Sequence, residues 1–284
     1  MKFVTFQHDR HAHAGVLQGE EVISLKEAGF HTLLDVIQGG REALLSIAAV
    51  IETNAPGGIF PLSGVKLLAP LPKPPKIICI GLNYRDHAIE SKMEIPKTPT
   101  VFSKYATAVI GPGENIVLPK NSAKPDYEGE MAVVIGKNGR HVKAADWKEY
   151  VFGYTCLNDV SARDFQMATS QWMIGKTFDT FAPMGPYITT ADEVADPHNL
   201  NISLTINGET LQNSNTRELI FRVPELIEYL SSVFTLEPCD IISTGTPSGV
   251  GFSFDPPKWL RAGDEVIVKV EGLGELRNGV VAEA

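Results

Sequence analysis

The apolar residues of this chain fall mainly in short runs bounded by glycine, proline or asparagine, and this pattern restricts the fold. Residues 131–135 and 151–157 are rich in β-branched and aromatic side chains, which is typical of buried strands. Asn207-Gly208 ends another such run and is a strong signal for a tight hairpin. Because helical periodicity is confined to a few segments, such as 223–236, we expect a mostly β architecture of the α+β class with peripheral helices.

The proline-rich segment 68–75 predicts a boundary between two units. Ahead of it, short strand-like runs are followed by helical periodicity over residues 31–37 and 41–52, with Gly39-Gly40 between them. We therefore predict a small N-terminal α+β domain over residues 1–70 and a larger domain over residues 71–284.

Charge and cysteine content exclude several classes of protein. The chain has 25 Lys and Arg against 34 Asp and Glu, a net charge of −9, which argues against a nucleic-acid partner. Its three cysteines, Cys79, Cys156 and Cys239, have no paired spacing, so a disulfide framework is not indicated. Without an apolar run of membrane length or a signal-peptide pattern at residues 1–8, we expect a cytoplasmic protein with no membrane partner.

Three carboxylates near predicted strand ends indicate a metal site. Glu128 and Glu130 are two residues apart, which places them on one face of a strand, with Gly129 between them. Asp159 follows the next apolar run. Two like charges ahead of a buried run need a positive partner, and three oxygen ligands favour Mg²⁺ or Mn²⁺, or else Ca²⁺, over zinc. The alternative is a solvated strand face with Asp159 in a turn.

Two further motifs can be interpreted either as catalytic groups or as ordinary surface residues. His87 and Glu90 are i and i+3 on a predicted helix, where the carboxylate would orient the imidazole as a general base; they would otherwise form a surface ion pair. Lys176 follows a glycine and would balance the three carboxylates and bind an anionic substrate, or would simply be a surface lysine.

Six motifs in one order between residues 76 and 281 resemble the fumarylacetoacetate hydrolase family, especially its shorter acylpyruvase-like and oxaloacetate-decarboxylase-like members. They are Gly81-Leu-Asn-Tyr with His87 and Glu90, Asp126-Tyr-Glu-Gly-Glu130, Asn158-Asp-x-Ser-Ala-Arg-Asp164 with Gln166, Gly175-Lys with Phe178-Asp179, Asn207-Gly-Glu209, and Thr244-Gly-Thr-Pro with Gly249-Val250. One departure is Cys239, where the family usually has glycine in a Pro-Gly-Asp turn.

The resemblance implies a mixed β-sandwich roll, a homodimer and a Mg²⁺ or Mn²⁺ cofactor. Its metal ligands match Glu128, Glu130 and Asp159, and its catalytic residues match His87, Glu90 and Lys176. The positions that surround the substrate match Arg163, Gln166 and Thr246.

The function implied is the cleavage of a C–C bond in an acylpyruvate or fumarylpyruvate through a metal-bound enolate. Here His87 would activate the attacking water. Decarboxylation of oxaloacetate, or isomerisation of an unsaturated 2-oxo diacid, uses the same site and stays open; in each case the partner is a small anionic 2-oxo acid. Two other classes are a metal-free acid/base pair of the glycosidase type and a non-catalytic binder with structural Ca²⁺.

Overall fold

The computed structural model describes residues 1–52 and 58–284; residues 53–57, part of the predicted N-terminal domain, lie outside the described residues. The strands are β1 Lys2–His8, β2 His11–Gln18, β3 Glu21–Ser24, β4 Ile59–Pro61, β5 Lys66–Leu68, β6 Ile77–Gly81, β7 Thr100–Lys104, β8 Val109–Ile110, β9 Ile116–Leu118, β10 Pro125–Asp126, β11 Gly129–Ile135, β12 Val151–Asn158, β13 Ser161–Ala162, β14 Ala182–Thr190, β15 Asn201–Ile206, β16 Glu209–Asn215, β17 Ile241–Ser243, β18 Glu265–Val270 and β19 Gly274–Ala282. The α-helices are α1 Leu33–Glu52, α2 Arg85–Glu90, α3 Arg163–Gln166, α4 Met173–Lys176 and α5 Val223–Val233.

Two large sheets pack face to face. The larger has the order β4-β3-β2-β1-β14-β12-β11-β17-β6-β7, and the smaller has the order β16-β15-β18-β19-β9. Most neighbours are antiparallel, but β17 pairs with β6 in parallel and β19 with β9 in parallel, so both sheets are mixed. The mostly β, sandwich-like fold predicted from the sequence is confirmed.

Strand β11 is buried on both faces, which explains why its sequence is a continuous apolar run and does not alternate. Met131 and Val133 contribute to the core between the two sheets. Ala132 and Val134 contribute to a second core on the opposite face of the larger sheet. Glu130 has the same parity as Ala132 and therefore lies on this second face, at the end of the strand.

The second core is completed by residues from the N-terminal part of the chain. Phe3 on β1, together with Leu33 and Ile47 on α1, packs with Val134. Strand β1 also pairs directly with β14, so the larger sheet continues across residue 70. The division into domains at residues 70 and 71 stays a prediction.

Helix α1 bends where the sequence predicts a break. Gly40 has φ 54° and ψ −135°, which is not helical, and it separates the two predicted helical segments. No helix within residues 1–52 or 58–284 combines the length and apolar character that a membrane span requires.

Candidate active site

The predicted metal ligands meet where the start of β11 lies beside the end of β12. Gly129 pairs with Asn158 in this antiparallel ladder, which brings the flanking residues Glu128 and Asp159 to one edge. The Asp159 N–H donates to the Glu128 carbonyl over 2.9 Å. Glu128, Glu130 and Asp159 are buried, and each offers an oxygen within 4.8 Å of the other two. This set of hard oxygen donors fits Mg²⁺ or Mn²⁺.

The loop after β17 orients the carboxylate of Glu130. Its Oε2 accepts hydrogen bonds from the Ser243 hydroxyl and from the Gly245 N–H, the latter over 2.8 Å. Gly245 has φ +101°, a conformation that favours glycine. Burial raises the pKa of Glu130 well above its usual value, and the charges of Asp159 and Glu128 add to the rise. The loop therefore holds a carboxylate that needs a nearby cation to remain charged.

Two buried cations already compensate part of this negative charge. Lys176 Nζ lies 2.7 Å from Glu128 Oε2 and 3.1 Å from Asp159 Oδ2. Arg163 Nη1 lies 2.7 Å from Glu128 Oε1, and its Nε lies 2.8 Å from Asp126 Oδ2. Burial alone would raise the pKa of Glu128, but the charges of Lys176 and Arg163 outweigh it and lower this pKa to about 2. Glu128 is therefore an anion at neutral pH.

The guanidinium nitrogens of Arg163 differ in their hydrogen-bond partners. Nη1 also donates to Gln166 Oε1 over 2.8 Å, and the guanidinium stacks 4.7 Å from the ring centroid of Phe252. Nη2 is buried and has no hydrogen-bond partner among the described residues. Buried polar groups are nearly always satisfied, so Nη2 is expected to donate to an oxygen of a ligand or of a water molecule.

The sequence alone did not reveal the role of Lys104 at this site. Its Nζ is fully buried, 2.5 Å from Asp159 Oδ1 and 3.0 Å from the Val160 carbonyl. Lysines are mostly exposed, so nothing in the linear pattern marked it. Phe102, two residues earlier on β7, lies on the same face of the strand and lines the cavity described below, which only the folded structure shows.

The predicted His87/Glu90 pair forms on helix α2. His87 Nδ1 lies 3.2 Å from Glu90 Oε2, and Glu90 Oε1 accepts the Gly249 N–H over 2.9 Å. Burial tends to raise the pKa of Glu90, but hydrogen bonds from His87, Ser253 and the Gly249 N–H lower it overall. An ionised Glu90 favours the imidazole tautomer with a proton on Nδ1, which leaves Nε2 as the proton acceptor.

A cavity of about 270 Å³ connects these groups. Its apolar wall includes Met93, Phe102, Met167, Trp172 and Phe252. Its polar wall contains most of the residues predicted as functional: His87, Glu128, Glu130, Arg163, Gln166, Lys176 and Thr246. Larger clefts elsewhere on the described surface contain none of them. The combination of one cavity, three carboxylates and an oriented imidazole suits proton transfer at a chelated anion.

Three predicted residues differ in how they face this cavity. Asp159 and Glu90 are not part of its wall: Asp159 is paired with Lys176 and Glu90 with His87, and these two partners line it. The Thr246 hydroxyl already donates to the Gly129 carbonyl over 3.0 Å and accepts from the Gln212 amide over 2.8 Å. The roles assigned to all nine site residues stay predictions.

The chain is similar to a curated enzyme from rat named oxaloacetate tautomerase Fahd2a, mitochondrial. The two are 44% identical over 289 residues, which cover 99% of this chain and 92% of the rat protein. A second relative, from Dictyostelium discoideum, is named fumarylacetoacetate hydrolase domain-containing protein 2 homolog. It is 52% identical over 232 residues, covering 78% of this chain and 76% of that protein.

Among solved structures, the chain resembles the maleylpyruvate hydrolase from Sphingobium sp. SYK-6 in complex with manganese (II) ion and pyruvate. The TM-score is 0.85 with 32% sequence identity, and the match covers 100% of both chains. The rat relative is thus named a tautomerase, whereas this structural neighbour is named a hydrolase.

The expected cytoplasmic location is contradicted by the relatives. The rat, cattle and human proteins similar to this chain are all named mitochondrial. The expectation rested on the residue pattern at the N-terminus and on cysteine content. Neither observation distinguishes the cytoplasm from the mitochondrion.

Two family models account for most of the chain. Residues 1–70 match one described as Rv2993c-like, N-terminal. Residues 76–281 match the one described as Fumarylacetoacetate (FAA) hydrolase C-terminal, and they include all nine predicted site residues. The resemblance inferred from six motifs is confirmed, and the chain belongs to the fumarylacetoacetate hydrolase family.

Proposed function

We propose that this chain is a divalent-metal-dependent enzyme that interconverts the keto and enol forms of oxaloacetate. The observation that carries the proposal is the buried Nη2 of Arg163, which has no partner among the described residues and belongs to a side chain that lines the cavity beside the carboxylates fit for a metal. A guanidinium pairs best with a carboxylate. A 2-oxo acid with a second carboxylate would therefore offer one group to the metal and another to the guanidinium, and the name of the rat relative supports oxaloacetate as that acid.

The metal would be held by Glu128, Glu130 and Asp159. Their oxygen-only donor set supports Mg²⁺ or Mn²⁺, as does the manganese in the maleylpyruvate hydrolase structure. When bound, the cation supplies Lewis-acid polarisation of the 2-oxo group.

The remaining steps belong to side chains of this protein. His87 Nε2 takes a proton from C3 of the keto acid; the C–H electron pair becomes the C2–C3 double bond, and the carbonyl pair moves to oxygen. Burial tends to lower the pKa of Lys176, but the charges of Asp159 and Glu128 raise it overall, so it stays an ammonium beside the developing negative charge. The His87 imidazolium then returns this proton to the oxygen, which completes the enol and restores the neutral imidazole.

Hydrolysis of acylpyruvates is the second candidate, favoured by the His87/Glu90 pair. An imidazole oriented by a partly buried carboxylate can equally deprotonate a water that attacks a distal carbonyl. The maleylpyruvate hydrolase similarity supports this candidate. The two reactions share an enolate and differ in whether a water is activated.

The deciding experiment compares three reactions on chelator-treated protein before and after addition of Mg²⁺ or Mn²⁺. Enol absorbance follows tautomerisation of oxaloacetate, released CO₂ follows decarboxylation, and loss of the diketo chromophore follows cleavage of acetylpyruvate. We expect metal-restored tautomerisation with little loss of oxaloacetate. Metal-restored cleavage of acetylpyruvate alone would favour the hydrolase, and activity that needs no metal would contradict both candidates. Glu128→Gln should abolish metal binding and turnover together.

We also propose that the chain forms a homodimer, as the family resemblance implies. Ile89 on α2 and the cavity-lining Met93 and Met167 are exposed to 77%, 52% and 61%, respectively. Exposed apolar side chains grouped at one site are typical of interfaces. Size-exclusion chromatography with light scattering tests this, and a monomer at micromolar concentration would contradict it.

A further inference from the structure

The indole of Trp172 lies directly against the backbone of Gly81 at the edge of the cavity. A Cβ atom built on Gly81 would lie 2.2 Å from Trp172 Cζ3 and 3.1 Å from Cη2. Gly81 does not have a positive φ, so its backbone conformation does not itself require glycine. The missing side chain therefore serves the close approach of the indole to the end of β6.

Phe102 holds the other side of this indole. The two ring centroids are 5.8 Å apart at an interplanar angle of 66°, an edge-to-face contact. Phe102 pairs with Cys79 in the β6–β7 ladder, so Phe102 and Gly81 lie on the same face of the sheet. Gly81, Phe102 and Trp172 together make a rigid apolar wall, named here the indole wall.

The indole wall is attached to the residue that balances the carboxylates. Trp172 immediately precedes α4, whose last residue is Lys176. The Trp172 carbonyl accepts the Gly175 N–H over 3.0 Å. Lys176 Nζ in turn lies 5.2 Å from the Phe102 ring centroid. These short contacts therefore fix the distance between Lys176, at the charged end of the cavity, and the indole wall.

We propose that Trp172 is a specificity-determining residue that limits the length of the substrate. This inference rests on the function proposed above: the indole wall admits 2-oxo acids of the size of oxaloacetate and excludes longer acyl chains. The cavity of about 270 Å³ supports this, because it lies below the roughly 300–1,000 Å³ of typical ligand pockets.

The test measures binding, so it does not depend on turnover. Dissociation constants of pyruvate, 2-oxopentanoate and 2-oxoheptanoate are determined by calorimetry with Mn²⁺-loaded wild type, Trp172→Ala and Trp172→Phe. In wild type we expect affinity to fall for the longest acid. In Trp172→Ala each added methylene should instead strengthen binding by up to about four-fold, the gain expected from burying a methylene, and Trp172→Phe should lie between.

Trp147→Ala is the matched control. Trp147 lies in the turn Ala144–Tyr150, packs against His198 and does not line this cavity, so its removal should leave the length profile unchanged. A second variant guards against misfolding: Gly81→Ala keeps the indole but forces it to move, and it should also alter the profile while Mn²⁺ affinity stays within about two-fold of wild type.

The outcomes separate this inference from the proposed function. If Trp172→Ala and Gly81→Ala both keep the wild-type length profile, the inference is wrong even when oxaloacetate tautomerisation is demonstrated. If the profile changes as expected in a protein that turns over neither oxaloacetate nor acetylpyruvate, the indole wall still limits ligand length and the proposed reaction alone is wrong.

Discussion

At the scale of single residues, removal of the Lys104 side chain should destabilise the protein strongly. It is fully buried against Asp159, and deleting one partner of a buried ion pair costs about 3–5 kcal/mol. Lys104→Met should lower the free energy of unfolding by about that amount in chelator-treated protein, measured by urea denaturation. Saturating Mg²⁺ should recover part of the loss, because a divalent cation also compensates Asp159.

Lys97→Met serves as the control, because Lys97 is exposed and should contribute less than about 0.5 kcal/mol. An equal loss for Lys104→Met with and without metal would mean that Lys104 acts only on packing and not on the charge of the site.

Cys239, the departure from the family pattern, is a residue under backbone strain. It is buried and has φ +72°, in the left-handed region where a side chain costs about 1–2 kcal/mol. Cys239→Gly and Cys239→Ala both remove the thiol, but only glycine relieves this strain. We expect the glycine variant to be about 1 kcal/mol more stable than the alanine variant by urea denaturation. Equal stability would show that the turn tolerates a Cβ atom without cost.

At the scale of elements, α1 begins with a reciprocal cap. The Thr32 N–H donates to Asp35 Oδ2 over 2.8 Å, and the Asp35 N–H donates to Thr32 Oγ1 over 3.2 Å. Asp35→Ala should therefore cost about 1 kcal/mol at pH 7. Burial tends to raise the pKa of Asp35, but hydrogen bonds from Thr32 and His31 together lower it overall from 3.8.

The pH dependence of this cap follows from the lowered pKa. A carboxyl with a lowered folded-state pKa stabilises the protein above its unfolded pKa and loses that effect as the pH falls through the folded value. The difference between wild type and Asp35→Ala should thus be full at pH 7 and shrink below pH 3.8. Glu42→Ala, an exposed change on the same helix, should show no such trend.

At the scale of the whole molecule, the two predicted domains share a core. Phe3, Leu33 and Ile47 cover the face of the larger sheet to which Val134 belongs, and β14 loses a neighbour if β1 is absent. We expect a fragment of residues 71–284 to bind hydrophobic dyes and to unfold without a cooperative transition. Adding the fragment 1–70 should restore part of the cooperativity, whereas a fragment 71–284 as stable as the full chain would contradict the shared core.

The amino-acid sequence by itself determined the strand content, the hairpin at Asn207-Gly208, the break in α1 and the carboxylate trio, because these depend on local periodicity, turn chemistry and spacing. Only the tertiary structure decided the pairing of Lys104 with Asp159, 55 residues away, the Arg163 nitrogen that has no partner among the described residues, and the contact of Trp172 with Gly81. Each of these depends on how distant strands and loops converge, and no local pattern encodes a contact between side chains that are far apart along the chain.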